Sequence, residues 1–164
     1  MRTIKEFRKN IIGFNKSLRP KGYYLKMRKI DDEPGYYNIF MIRYVPKMLP
    51  LQAAKIKIYL DREDDGEIIL DRGRTFLKFR KQNLGTILRA IVVWSAKKSG
   101  FAKASQTSTN LNKTRPGKRP LSALIMNKLG FSINKVHTNL SENRSLNLTR
   151  NTPKLNNILR EYIH

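Results

Sequence analysis

Seven residues in the middle of the chain, RKQNLGT at positions 80–86, could bind a phosphate group. They follow a predicted strand and open a predicted helix. The first amides of a helix have no partner inside the helix, and the helix dipole adds partial positive charge there. A pyrophosphate can accept several of these amides at once. Gly85 lets a ligand approach the backbone, and Arg80 and Lys81 add full charges. The stretch therefore predicts a phosphate-binding loop, with a plain helix start as the alternative.

Carboxylates before this loop are the candidate general bases, namely Asp61, Glu63, Glu67 and Asp71. Asp71 is the first choice because it lies on the strand that leads into the loop, where it could take a proton from an amine. A surface ion pair is the alternative for an acid in so basic a chain. His137 and His164 lie in no recognisable catalytic pattern. The sequence has no cysteine and no metal-ligand spacing, so we expect no metal site and no thiol nucleophile.

Hydrophobic periodicity predicts the elements that position these residues. We expect helices over 2–17, 84–99, 121–129 and 153–162. We expect strands over 23–30, 36–45, 55–60, 101–109 and 131–137, a strand from 67 that continues irregularly through Phe79, and a further one over 144–148. This order predicts a single mixed α/β domain over 1–164, with a mostly antiparallel central sheet flanked by helices. A basic helix lies within 1–22 and a helical tail over 150–164.

Two motifs resemble the GNAT family of acetyl-CoA-dependent N-acetyltransferases. The family's acetyl-CoA loop reads Gln or Arg, two residues, Gly, one residue, then Gly or Ala. Arg80 and Gly85 match its ends, and Asn83 replaces the first glycine. The stretch RPLSALIMNKLGF at 119–131 resembles the family's late helix, which ends in Tyr, three residues and Gly-Phe. Here Met126 stands in the place of the tyrosine.

The resemblance covers about 67–139 and implies an acetyl-CoA-binding core. In many members the tyrosine protonates the departing CoA thiolate, which methionine cannot do. The family polarises the thioester with a backbone amide of the strand before the loop, here expected at the strand end 77–79. The implied CoA contacts are Leu77, Lys78, Phe79, Arg80, Lys81, Gln82, Asn83, Leu84, Gly85, Thr86 and Ser122.

The charge predicts a polyanionic partner. The chain has 34 Lys and Arg against 12 Asp and Glu, a net charge of +22, far beyond the ~2–8 that solubility requires. RNA, DNA or ribonucleoprotein would fit such a surface. The loop 110–119 is the expected contact, through Lys113, Arg115, Lys118 and Arg119, with a solvated loop as the alternative. No apolar run reaches membrane-span length and no secretory signal is visible, so we expect a cytoplasmic protein without a membrane partner; the oligomeric state stays open.

Two functions are compatible with these observations. The first is an N-acyltransferase that uses acetyl-CoA and acts on a nucleic-acid-associated amine, such as an aminoacyl-tRNA, a ribosomal or nucleoid protein, or a modified base. The second is a GNAT-like fold without turnover that binds RNA or DNA, for example as a structural component of the ribosome. Met126 and the charge favour the second, and the two motifs favour the first.

Overall fold

A computed structural model describes residues 3–80, 82–109, 121–138 and 141–163. The helices are α1 (Ile4–Gly13), α2 (Asn15–Leu18), α3 (Leu84–Lys98), α4 (Leu121–Leu129) and α5 (Pro153–Ile158). The strands are β1 (Tyr23–Lys29), β2 (Tyr36–Arg43), β3 (Leu51–Asp61), β4 (Glu67–Thr75), β5 (Lys103–Thr109), β6 (Ser132–Thr138) and β7 (Ser141–Asn147). None of the helices in these ranges is long and apolar enough to cross a membrane.

The strands form one sheet in the order β1-β2-β3-β4-β5-β7-β6. All neighbouring pairs are antiparallel except β4 and β5, which run parallel. A parallel pair needs a crossover connection, and α3 supplies it. The predicted mixed, mostly antiparallel α/β sheet is confirmed.

One face of the sheet carries the core. Leu25, Ile39 and Ile56 are buried and alternate with less buried neighbours along their strands, which is the period expected of a strand with one covered face. Phe7 and Ile11 of α1 pack in the same cluster. Much of α3 is buried as well, and this helix contacts both α1 and the strands β3 and β4.

The predicted helix 2–17 is wrong as one element, because it breaks at Phe14. Thr3 caps the first turn of α1 by accepting a hydrogen bond from the Glu6 amide at 3.0 Å. After the break, Asn15 makes two hydrogen bonds to the backbone of Leu25 in β1. These bonds tie the chain to the sheet.

The predicted strand through Phe79 is also wrong beyond Thr75. Leu77–Phe79 forms a short 3-10 turn, in which the Phe79 amide donates to the Phe76 carbonyl at 2.8 Å. Phe79 is buried in the core, whereas the Leu77 side chain is 78% exposed. Burial of one aromatic ring thus turns the chain inward before α3. The strand over 144–148 is longer than expected, since β7 spans Ser141–Asn147, and α5 ends at Ile158.

Candidate functional site

The sheet opens between β4 and β5. Their pairing joins 67–70 to 103–106 and stops at Leu70 and Gln106. Beyond that point β4 continues to Thr75, and β5 lies beside none of this segment. A strand directs alternate amides to the same edge, so amides within 71–75 face the gap without a strand partner among the described residues. They are available to an oxygen of a ligand.

A β-bulge lies where the two strands separate. In the pairing of β3 with β4, Ile58 faces Leu70 and Lys57 faces Arg72, which leaves Asp71 without an opposite residue. Such a bulge bends the strand and redirects its groups, and bulges are frequent beside active sites. Asp71 therefore lies at the mouth of the gap.

The start of α3 forms one wall of a cleft of about 540 Å³, which we call the helix cleft. Among its lining residues are Gly73, Thr75, Arg80, Asn83, Gly85 and Lys128. Asn83 precedes the helix with φ +57° and ψ +16°, a left-handed conformation that favours glycine and that asparagine tolerates. This accounts for asparagine at the first glycine position of the predicted loop.

The first turn of α3 is open to a ligand. Within the described chain, the Asn83 side chain makes no capping hydrogen bond, and the intrahelical bonds begin with the Ile87 amide donating to the Asn83 carbonyl at 2.9 Å. A Cβ at Gly85 would lie 2.8 Å from Thr75 Oγ1. Glycine thus lets α3 begin directly against β4, and the open amides point outward with the positive end of the helix dipole.

The opposite side of the gap opens into a second cavity of about 830 Å³, which we call the sheet groove. Among its lining residues are Asn38, Lys55, Lys57, Asp71, Arg74 and Gln106. The Lys57 ammonium lies 2.6 Å from Glu33 Oε2 and 3.6 Å from Asp71 Oδ2. The hydrogen bond to Glu33, reinforced by Asp71, raises the pKa of Lys57 above its ordinary value. Asp71, the predicted base, thus shares one cation with Glu33, a groove residue that was not among the acids predicted for the site.

Two buried amide oxygens in the sheet groove have no hydrogen-bond partner among the described residues. They are Asn38 Oδ1 on β2 and Gln106 Oε1 on β5. Gln106 stands at the last paired position of β5, directly beside the gap. Buried acceptors are normally satisfied, so these oxygens are ready to accept from an N–H donor of a bound molecule. Nothing in the local sequence indicated either residue.

Arg89 of α3 is a buried cation beside the gap. Its side chain packs against Gly73 and Gly85, where an added Cβ would meet the guanidinium. Nη1 donates to the Gly85 carbonyl at 3.2 Å. Burial lowers the pKa of Arg89. Arg89 was not predicted as a site residue, because an arginine between the apolar positions of a helix is typical of its exposed face.

The remaining predicted residues are dispersed. Arg80 Nε lies 3.4 Å from the Thr75 carbonyl, and Gln82 Oε1 accepts from the Tyr23 hydroxyl at 3.1 Å. Leu84 and Thr86 are buried in the first turn of α3, Lys78 is exposed in the 3-10 turn and Ser122 lies at the start of α4. Met126 is fully buried on α4, and its neighbours Ile125 and Lys128 line the helix cleft. Lys81, Lys113, Arg115, Lys118 and Arg119 lie outside the described residues.

Metal-binding clusters are absent from the part of the chain that the structure describes: no three His, Asp or Glu side chains are grouped to hold an ion there.

No protein-family model and no curated protein sequence matches this chain. Solved structures do. The ribosomal-protein-S18-alanine N-acetyltransferase from Escherichia coli matches with a TM-score of 0.54 at 15% identity, over 71% of this chain and 71% of that chain. An acetyltransferase from Bacillus subtilis in complex with CoA matches with a TM-score of 0.54 at 10% identity, over 76% and 98%. Naa50 from Arabidopsis thaliana, bound to a bisubstrate analogue of CoA and a peptide, matches with a TM-score of 0.51 at 12% identity, over 66% and 71%. The chain therefore has the GNAT fold.

Proposed function

We propose that this protein is an N-acetyltransferase that takes its acetyl group from acetyl-CoA. The observation that carries the proposal is the opening of the sheet at the Asp71 bulge, with an uncapped helix start on one side and a polar groove on the other. A thioester and an amine must meet in one place for acetyl transfer, and a gap reached from two cavities provides such a place. The GNAT fold of the relatives that bind CoA supports the same proposal.

The helix cleft is the proposed CoA site. The open amides at Leu84, Gly85 and Thr86 would hold the pyrophosphate, and Arg80 and Lys128 would add charge. The thioester carbonyl would accept from a gap-facing amide of β4 within 71–75, which stabilises the oxyanion as the amine attacks. This segment replaces 77–79 as the proposed polarising backbone, because 77–79 forms a turn outside the strand.

The sheet groove is the proposed acceptor site. An amine placed at the gap could donate to the Gln106 carbonyl oxygen, which would hold its lone pair toward the thioester. Asn38 lies three strands away on β2, so its carbonyl oxygen could accept from another part of the acceptor. Asp71 would take the amine's proton, directly or through a water. The Lys57 ammonium holds the Asp71 carboxylate at 3.6 Å, so the base stays oriented at the bulge.

The open face of the sheet supports an acceptor that is carried by nucleic acid. Directly opposite residues lie on one face, and Lys55 faces Arg74 while Lys57 faces Arg72. Like charges in direct opposition destabilise a sheet. Lys26 and Arg28 of β1 continue the two rows across Phe40 and Asn38 of β2. We call these six cations the cationic rows. Of them, only Lys57 forms an ion pair within the described residues.

The cationic rows lead into the sheet groove, because Lys55, Lys57, Arg72 and Arg74 belong to both. A phosphate backbone lying on the rows would neutralise charges that otherwise repel one another. An amine attached to that nucleic acid, or to a protein bound on it, would then reach the gap. The acceptors that fit are an aminoacyl-tRNA, a ribosomal or nucleoid protein, or an amino-bearing base.

A non-catalytic RNA- or DNA-binding role is the second candidate, and the fully buried Met126 favours it. No proton donor can come from that position. The two candidates differ in one measurement, since only the enzyme needs CoA to bind.

Calorimetric titration with acetyl-CoA, with and without RNA, tests the proposal. Gly85→Val should abolish binding, because a side chain at Gly85 meets Thr75 Oγ1 and obstructs the open amides. Gly13→Val is the matched control, since Gly13 also lies in a helix and an added Cβ there meets no atom within 4 Å. Wild-type protein that binds RNA but not acetyl-CoA would establish the non-catalytic alternative.

The nucleic-acid part is tested separately by replacing two cations of the rows. The double variant Lys55→Gln, Arg74→Gln should weaken RNA binding and reduce the slope of log K against log salt by about 1–2. Lys5→Gln, Lys9→Gln on α1 is the control for net charge. Equal losses in both double variants would show that RNA responds to total charge and not to the cationic rows.

A further inference from the structure

Two residues of β4 and one of α3 line both cavities. They are Gly73, Arg74 and Arg89, which belong to the helix cleft and to the sheet groove alike. Under the proposed function, the thioester enters from the first cavity and the amine from the second. The amine nitrogen must reach the carbonyl carbon of the thioester, so the two molecules meet where the cavities join. The transfer therefore takes place beside these three residues.

Arg89 is the buried charge among the three. Arg89 is 7% exposed, and no carboxylate of the described residues forms an ion pair with it. Its Nε is buried without a hydrogen-bond partner in the same part of the chain. Arg74 is exposed and stacks on Phe76 at 4.8 Å. A buried cation with unused donors costs stability unless an anion joins it.

Two glycines position this guanidinium. Gly73 faces Ile56 in the register of β3 and β4, which puts it on the covered face of the sheet toward α3. A Cβ at Gly73 would overlap the guanidinium, and one at Gly85 would lie 3.1 Å from Nη1. The absence of both side chains leaves room for Arg89 to extend from α3 into the gap.

Acetyl transfer creates an anion at this place. The amine nitrogen forms a bond to the carbonyl carbon, and the carbon–sulfur bond breaks with its electron pair going to sulfur. The amine's proton leaves for Asp71 or water. By its resemblance to the family's late helix, Met126 stands in the place of the tyrosine that would protonate the sulfur. Methionine cannot donate a proton, so the thiolate must be stabilised in another way.

We propose that Arg89 is the group that stabilises the CoA thiolate, as a cation that hydrogen-bonds the sulfur and keeps its own proton. A guanidinium stays protonated at neutral pH, so it acts by charge and hydrogen bonding and not by proton transfer. The thiolate leaves with CoA and takes a proton from solvent. This role rests on the proposed CoA site, and it makes Arg89 a catalytic residue.

The test compares the binding of CoA with that of desulfo-CoA, which has no sulfur, between pH 7 and pH 9.5. An ordinary thiol titrates near pH ~8.5. In the wild-type protein we expect the thiol of bound CoA to ionise about one pH unit lower. The affinity of CoA relative to that of desulfo-CoA should then rise about tenfold as the pH rises. The thiolate absorbance of bound CoA gives the same titration directly.

Arg89→Met should remove this gain while leaving the affinity for desulfo-CoA unchanged, and Arg89→Lys should keep part of it. The methionine side chain is apolar and fits the space of the buried aliphatic part of Arg89. If the Arg89→Met variant does not fold, Arg89→Lys serves instead, because it keeps the charge. Equal titration of the bound thiol in wild type and Arg89→Met overturns the proposal. So does a loss of affinity for RNA alone in Arg89→Met, which would place a phosphate of the nucleic acid at Arg89.

Failure of the proposed function has a different signature. In that case neither CoA nor desulfo-CoA binds the wild-type protein, and the role of Arg89 falls with it. If both bind with equal affinity at every pH, the CoA site stands and only the role of Arg89 is overturned.

Discussion

The fold is predicted to become more stable when Arg89 is replaced by methionine. The guanidinium is buried, and within the described part of the chain it has no acidic partner and makes one hydrogen bond, to the Gly85 carbonyl. Losing that bond costs about 1 kcal/mol. Replacing a buried, poorly paired charge by an apolar side chain of similar length gains about 1–4 kcal/mol. The expected net change is a rise of about 0–3 kcal/mol in the free energy of unfolding.

Thermal and urea unfolding of Arg89→Met against wild type measure this change. For a chain of this size, 1 kcal/mol corresponds to about 2–4 °C in Tm. Arg80→Met is the matched control, because Arg80 is exposed and its side chain bonds the described chain only through Nε, which donates to the Thr75 carbonyl at a long 3.4 Å. We expect a change within about 0.5 kcal/mol.

A second substitution checks the same contact. Gly73→Ala should cost about 1–3 kcal/mol in the wild type, since the new Cβ meets the guanidinium, and clearly less in the Arg89→Met background. If Arg89→Met instead lowers stability by more than about 2 kcal/mol, Arg89 holds a structural network and the reasoning is refuted.

Two further predictions concern the loop and the sheet groove. Asn83→Gly should leave the free energy of unfolding and the affinity for acetyl-CoA nearly unchanged. Asn83→Val should lower the free energy of unfolding by at least about 1 kcal/mol and weaken acetyl-CoA binding, because a β-branched residue resists the left-handed conformation at φ +57°. Equal effects of the two variants on unfolding and on acetyl-CoA titration would contradict the loop geometry. The hydrogen bond to Glu33 raises the pKa of Lys57 from its ordinary value of 10.5. A cation whose pKa is higher in the folded state adds stability below pH 10.5, and this stability is lost as the pH rises further. The difference in free energy of unfolding between wild type and Lys57→Gln, measured with urea, should therefore shrink between pH 9 and pH 11.5. A difference that grows over this range would contradict the raised pKa of Lys57.

Patterns that are local in the sequence predicted much of the fold. The helix from Leu84 repeats its apolar residues at helical spacing, and Gly130 with Phe131 marks the end of α4 and the return to the sheet. The loop before α3 was predicted from its charge, its glycine and its position, and its role as a phosphate site stays a prediction. These features depend on neighbours within one or two turns, which a sequence displays directly.

The rest depended on contacts between distant segments. The break at Phe14 rests on bonds from Asn15 to β1, and the end of β4 rests on the burial of Phe79. Arg89 looked like a surface residue until Gly73, sixteen positions earlier, proved to leave space for it. Gln106 entered the site because the parallel pairing stops there. No window of neighbouring residues contains these relations.

The short parallel seam between β4 and β5 has a consequence for the order in which the protein folds. Strands β1 to β4 pair with their neighbours in sequence, so their half of the sheet needs only short loops to close. The seam joins 67–70 to 103–106 across the whole of α3, and it is the strand pairing through which β5, β7 and β6 join the first half of the described sheet. Closing a longer loop before gaining contacts is slow. We therefore expect amide protons of β5 and β7 to exchange earlier than those of β2 and β3, and a ligand lying across the seam to slow that exchange by bridging the two halves.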